Sequence, residues 1–244
     1  LEGDQASEYW TLFVELDSGH RISQRFLITN AGPGSHNAVA VGHLMEPGRP
    51  PYRYVNGRTR SAWTLSPDRL FLDIAASHLD LHRPLGALMI TKDDVEIRLR
   101  FDLADADPAG RVSAAALPPR LAVEALAVGA ATRGHLRAPW MTEPIDVTGR
   151  TWLVHTWTNE EEAGLFVRRV DVFGRNGETS FYGIHLSGGQ APQKGTWQIL
   201  GRSGSRGDGS YELDSRINFE GEWNAGAELV SGRSGEAYPI PGLF

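Results

Sequence analysis

Short runs of alternating apolar and polar residues, cut apart by turn residues, recur along almost the whole of this sequence. Tyr52–Val55, Arg60–Leu65, Leu70–Ala75, Ser77–Leu81, Ala87–Thr91 and Val95–Leu103 follow one another, broken by Asn56-Gly57, Ser66-Pro67-Asp68 and Lys92-Asp93-Asp94. Runs this short, spaced about 8–12 residues apart, are the pattern of a β-sandwich or barrel, because a period of two buries one face of each strand. Only Arg120–Ala131 has helix character, through Leu121, Glu124, Ala125, Leu126 and Ala130; Gly129 and the nearby prolines limit it to a short helix.

The chain opens with a predicted hairpin, Tyr9–Leu16 and His20–Thr29 around Asp17-Ser18-Gly19. In its second strand Ile22, Gln24, Phe26 and Ile28 share a face, while Arg21, Ser23 and Arg25 take the other. Gln24, the odd member of the apolar face, is either a polar group inside a cavity or an edge residue. Between Asp105 and Pro119 the rhythm breaks in a Pro- and Ala-rich stretch that marks a domain boundary. Strand-like runs resume after Pro139-Trp140 and continue through Thr151–Trp157, Leu165–Phe173 and Thr179–Leu186. The expected fold class is all-β, with residues 1–118 and 119–244 as two consecutive domains.

Composition narrows the function. The 244 residues carry a net charge of −6, with acidic and basic residues well mixed, so no basic stripe is available for nucleic acid. There is no cysteine, which excludes disulfides and thiolate chemistry. The longest apolar run, Leu121 to Ala131, is interrupted by Glu124 and is too short to span a bilayer; contact with a membrane surface stays open. The expected setting is cytoplasmic or periplasmic, and the opening on Leu1 rather than Met suggests that residues upstream have been removed. No phosphate-binding glycine loop, nucleophile elbow or zinc-binding helix motif is present, and no cofactor or metal is expected. His78, Asp80 and His82 alternate along one strand, but Leu79 and Leu81 claim the core face and leave that row to solvent. Arg206-Gly207-Asp208 sits in a Gly-rich loop, where such triplets arise by chance.

The stretch Ile145–Gly189 holds the best candidates for chemistry. Trp152, Val154 and Thr156 alternate with Leu153, His155 and Trp157, so His155 shares a face with an aromatic ring. His185 shares a face with Phe181 and Gly183 and lies beside Tyr182. A histidine among aromatics on an inward face serves as a general acid or base, as a hydrogen-bond anchor for a ligand, or as a buried neutral imidazole. His155 and His185 are the candidate catalytic residues. Trp152, Trp157, Phe181, Tyr182, Gln24 and Phe26 are the candidate ligand contacts.

Gly149-Arg150-Thr151-Trp152-Leu153-Val154-His155-Thr156-Trp157 resembles the strand that opens the second domain of the lipocalin-like carotenoid 1,2-hydratase (AttH-like) superfamily. Asp171 to Glu178 is similar to that family's next hairpin, and Glu8-Tyr9-Trp10 with Leu16-Asp17-Ser18-Gly19 to its first. The resemblance implies two consecutive antiparallel lipocalin-like β-barrels, like those of the related survival-factor-like lipid-transfer proteins and lipocalin-like Diels–Alderases. It also implies a hydrophobic ligand, a lipid or isoprenoid, held in a barrel or between the domains. The leading expectation is binding or transfer of that ligand; the alternative is a hydratase, cyclase or isomerase acting on it. The family's hydratases carry an acid before the strand histidine, and here that position is Val154, which cannot protonate carbon. The chain also stops at Pro239-Ile240-Pro241-Gly242-Leu243-Phe244, short of where the family's second barrel closes.

Overall fold

The computed structural model of the protein describes residues 3–30, 36–59, 62–66, 70–103, 110–111, 117–166, 168–176, 179–187, 189–190, 198–202, 210–211, 227–230 and 237–240. The Arg-Gly-Asp triplet and most of the stretch between 105 and 116 lie outside them. Twelve strands form one antiparallel sheet: β1 (Ser7–Leu16), β2 (Arg21–Thr29), β3 (Asn37–Met45), β4 (Tyr52–Arg58), β5 (Trp63–Ser66), β6 (Phe71–Ile74), β7 (Ser77–Asp80), β8 (Leu85–Lys92), β9 (Val95–Asp102), β10 (Gly110–Arg111), β11 (Leu121–Arg137) and β12 (Ile145–Thr158). A single helical turn, α1 (Glu162–Leu165), leads to a four-stranded sheet of β13 (Arg168–Asn176), β14 (Thr179–Ser187), β15 (Gln198–Arg202) and β16 (Ser210–Tyr211). β17 (Ala227–Val230) pairs with β18 (Ala237–Ile240).

The large sheet runs β4-β3-β2-β1-β12-β11-β9-β8-β7-β6-β5 and curls so that β3 and β4 come near β6. β4 approaches β6, and Asn56 Nδ2 donates to Ser77 Oγ across the seam at 2.9 Å. This makes a nearly closed barrel. Asn56-Gly57, expected as a turn, is instead strand, and Asn56 points inward with 5% of its surface exposed. Closure of the sheet, a long-range event, overrides the local turn signal here. Strands from both sides of residue 118 belong to this one sheet, since β11 pairs with β9 and β12 with β1.

The expected helix at Arg120–Ala131 is the first half of the 17-residue strand β11. Its small apolar residues suit a strand covered on both sides: Val123 and Ala125 enter one core, Ala127 and Ala130 another. Register shifts between Ala125, Ala127 and Ala130 accompany this change of side, with Gly129 at φ 68°, a conformation that costs glycine little.

Two cores follow from one wall. Trp10, Leu12 and Val14 of β1 and Leu153 of β12 face the barrel interior, with Ile22, Phe26, Leu88, Ile97 and Leu99. The alternate residues Trp152 and Val154 face a second core with Leu165, Tyr182, Ile184 and Leu186, over which the four-stranded sheet lies. Tyr9, Trp10, Thr11 and Leu12 are therefore all buried in succession. The central strands are tightly apposed, and a Cβ on Gly149 would stand 2.1 Å from the carbonyl oxygen of Glu15. Backbone cannot yield as a side chain tip can, so Gly149→Ala is expected to lower stability by about 1–3 kcal/mol. Urea unfolding midpoints of the two proteins check this.

Candidate functional site

Because side chains alternate, neighbouring residues of β1 and β12 feed two polar clusters on opposite faces of the shared wall. On the barrel face, burial declines toward the end of β12: Leu153 is fully buried, and His155 and Trp157 are only partly covered. The imidazole of His155 stacks on Trp10 at 4.7 Å with the rings 5° from parallel, and the Trp157 ring also lies 4.7 Å from it, tilted by 32°. Its Nε2 lies 2.9 Å from Glu8 Oε1, and its side chain is 16% exposed. A carboxylate at Glu8 accepts this hydrogen bond from the Nε2–H of the imidazole. Glu124 of β11 lies opposite His155 in register. An imidazole packed against two indoles and oriented by a carboxylate can take up or deliver a proton at a fixed point.

Deeper on the same face, Gln24 and Phe26 are fully buried. Gln24, Gly42 and Tyr54 are consecutive partners across β2, β3 and β4, and a Cβ at Gly42 would collide with both side chains. Gln24 is thus an interior residue rather than an edge one. Gln24 Oε1, Tyr54 Oη and Trp10 Nε1 have no hydrogen-bond partner among the described residues. Burial pushes the Tyr54 phenol well above its ordinary range.

The opposite face carries a charged network. Arg169 of β13 donates to Asp171 twice, at 2.8 Å each, to Tyr9 Oη at 2.6 Å and to Thr156 Oγ1 at 3.2 Å. Tyr9 passes its own proton toward Glu162 at 2.5 Å, and Tyr182 donates to Asp171 at 2.7 Å. The Arg25 guanidinium lies 4.6 Å over the Tyr9 ring. Burial by itself would push Asp171 up, but the Arg169 guanidinium and the hydrogen bonds from Arg169 and Tyr182 outweigh it and hold the carboxyl below its ordinary range. Burial raises Tyr9 and Tyr182, so both stay neutral donors. Each nitrogen of the Arg169 guanidinium and each oxygen of the Asp171 carboxylate makes a hydrogen bond within the protein. The network therefore serves first to bind the four-stranded sheet to the wall.

The predicted residues separate accordingly. His155, Trp157, Gln24 and Phe26 face the barrel, whereas Trp152 and Tyr182 are buried in the second core, with Trp152 5.2 Å from Phe173. Phe181 pairs with Gly174 and His185 with Val170 along β13 and β14; their side chains lie outside the described residues. Val154 faces the second core too, so an acid at that position would point away from His155. Glu8, Tyr9, Trp10 and Asp171 figure in the sequence only as parts of hairpin motifs, and neither they nor Arg169 are among the site residues expected from it. The spacing of Arg169 and Asp171, two apart on a strand, was the available signal, since it puts opposite charges on one face.

His78 pairs with Asp73 at 3.3 Å on the outer surface, and no group of three or more candidate metal ligands occurs among the described residues. No described helix is long and apolar enough to cross a membrane.

No protein-family profile matches this sequence, and no curated protein does. Solved structures do. An AttH candidate from Nitrosomonas europaea superposes with a TM-score of 0.61 over 95% of this chain and 78% of its own, at 11% identity. Kievitone hydratase from Nectria haematococca gives 0.61 over 96% and 71%, at 12% identity. CghA with Sch210972 gives 0.61 over 93% of this chain, which spans 65% of CghA, at 11% identity. This chain shares their lipocalin-like β fold. At such identities the likeness concerns the backbone alone, and chemistry must be argued from the site.

Proposed function

We propose that this lipocalin-like protein is an enzyme of hydratase or cyclase type acting on a hydrophobic small molecule. His155 is its proton-handling group, Glu8 orients it, the buried Trp10 backs the imidazole, and the partly exposed Trp157 forms the wall against which the substrate lies. The observation that carries this reading is the 2.9 Å Glu8–His155 pair beside Trp10 and Trp157, where burial on the barrel face declines along β12. Support comes from the solved structures of the same fold, among them one named a hydratase. The reading keeps His185 as a second titratable group and residues 119–244 as a second lipocalin-like unit that shares β11 and β12 with the barrel.

Hydration adds a proton to one alkene carbon and the hydroxide of water to the other; cyclisation rearranges bonds with no change in mass. Cyclisation asks mainly for shape and fixed polar contacts, so Val154 is no obstacle to it. Incubating the protein with a panel of polyenes and prenylated phenols, followed by mass spectrometry, separates the outcomes. A product heavier by one water marks a hydratase, an isomer marks a cyclase, and a ligand recovered unchanged after co-purification removes the enzyme reading. That last result would favour binding or transfer, a second reading with its own observation: the unpartnered Gln24 Oε1 and Tyr54 Oη inside the barrel, where one polar group of a carried ligand could anchor.

A further inference from the structure

The outer face of the barrel carries a groove of about 740 Å³ against β8, β9, β11 and β12, continued by a second of about 440 Å³; Arg100, Arg133 and Thr148 line both. Arg100 and Arg133 are direct cross-strand partners, both exposed. Like charges in that position destabilise a sheet. The other charged groups of this face are engaged: Arg98 with Glu96 at 2.8 Å, His135 with Asp146 at 2.5 Å, Arg150 with the Gly129 carbonyl at 3.2 Å, and Asp17 with Thr148 at 2.7 Å. Asp102 is also engaged. Arg100 and Arg133 make no ion pair among the described residues, and Arg150, also without one, is turned to the Gly129 carbonyl. Beside them β8 turns Leu85, Ala87 and Met89 to the same side, with Ala87 opposite Arg100, and Leu85 and Met89 are 44% and 39% exposed. An apolar lane thus runs along a pair of guanidiniums that make no ion pair among the described residues, although Asp17, Asp102 and Asp146 also line the grooves.

We infer that this groove binds a free amphiphilic anion, its carboxylate or phosphate head between Arg100 and Arg133 and its chain along Leu85, Ala87 and Met89. Guanidinium forks suit such heads because they donate two parallel hydrogen bonds to paired oxygens. The head also relieves the repulsion that the empty pair carries. The site is separate from His155 and does not depend on the reaction assigned there.

Titration calorimetry with dodecyl phosphate, dodecanoate, dodecanol and inorganic phosphate tests it, with phosphatidylglycerol vesicles as a further arm. Saturable binding is expected for one or both amphiphilic anions, tighter than for dodecanol or inorganic phosphate; which of the two binds better names the head group. R100Q and R133Q are each expected to weaken it by roughly 10-fold, from the loss of a charge-assisted hydrogen bond. Their melting temperatures should hold or rise, since a like-charge contact is removed. Met89→Gln should weaken the anions and leave inorganic phosphate unchanged, and Thr91→Ser, at the far end of β8, should change nothing. Equal binding by R100Q, or attachment to vesicles with no binding of the free amphiphiles, would overturn the inference.

Discussion

Arg169→Met is expected to lower the folding free energy by about 3–5 kcal/mol, because it strands a carboxylate that the fold has removed from water. Asp171 is 14% exposed and takes both of its strong hydrogen bonds from the guanidinium, keeping only Tyr182 once that is gone. Tyr9 also loses a donor, so the sheet β13–β16 is held to the wall chiefly by Tyr182, Ile184, Leu186 and their apolar neighbours. The double variant Arg169→Met with Asp171→Leu should recover much of the loss, since no charge is left unpaired. Urea unfolding of the three proteins measures both effects. The pH dependence separates this account from simple loss of packing. In the native protein Asp171 is held below its ordinary value, so its stabilisation is complete above pH 3.8 and is lost as pH falls through the lower folded value. Without Arg169, burial raises Asp171 instead, and the sign reverses: acidifying from pH 7 to 5 should make the variant more stable relative to the native protein. A loss below about 1 kcal/mol, the scale of a solvated surface pair, would show that the network is not buried in solution.

The larger effect on activity belongs to His155. On the substrate identified by the polyene panel, His155→Ala is expected to lower kcat/KM by about 10²–10⁴-fold, the usual contribution of a positioned acid or base. Glu8→Gln retains a hydrogen-bonding side chain but loses the carboxylate that orients the imidazole, so a smaller loss of kcat/KM is expected. Trp157→Phe keeps an aromatic face and should act mainly on KM. Near-native turnover by a folded His155→Ala protein would remove the imidazole from the mechanism and leave Trp157 as a binding surface.

The division between what was legible in the letters and what was not follows the range of each interaction. Alternation in His20–Thr29 and Thr151–Trp157 reflects burial of one face, a property of successive residues, and it placed Phe26, Gln24 and His155 on their correct faces. The Asp17-Ser18-Gly19 turn is local in the same sense, with Gly19 at φ 85°. Arg120–Ala131 misled because small apolar residues satisfy a helix stripe and a doubly buried strand equally well, and only its pairing with β12 decides. Asn56 misled because a turn dipeptide yields to a barrel seam 21 residues away.

The partners of the chemistry are further apart still. Glu8 and His155 are separated by 147 positions, and Tyr9 and Arg169 by 160. Sequence by itself determined that the chain is all-β, which residues of each strand share a face, and that His155 stands among aromatics. Tertiary structure decided that β1 docks beside β12. That single pairing makes one wall serve two cores, sends Glu8 and Trp10 to His155, and sends Tyr9 to Arg169. The physical reason is that hydrogen bonds between strands specify no partner, so the choice rests on the packing of whole faces.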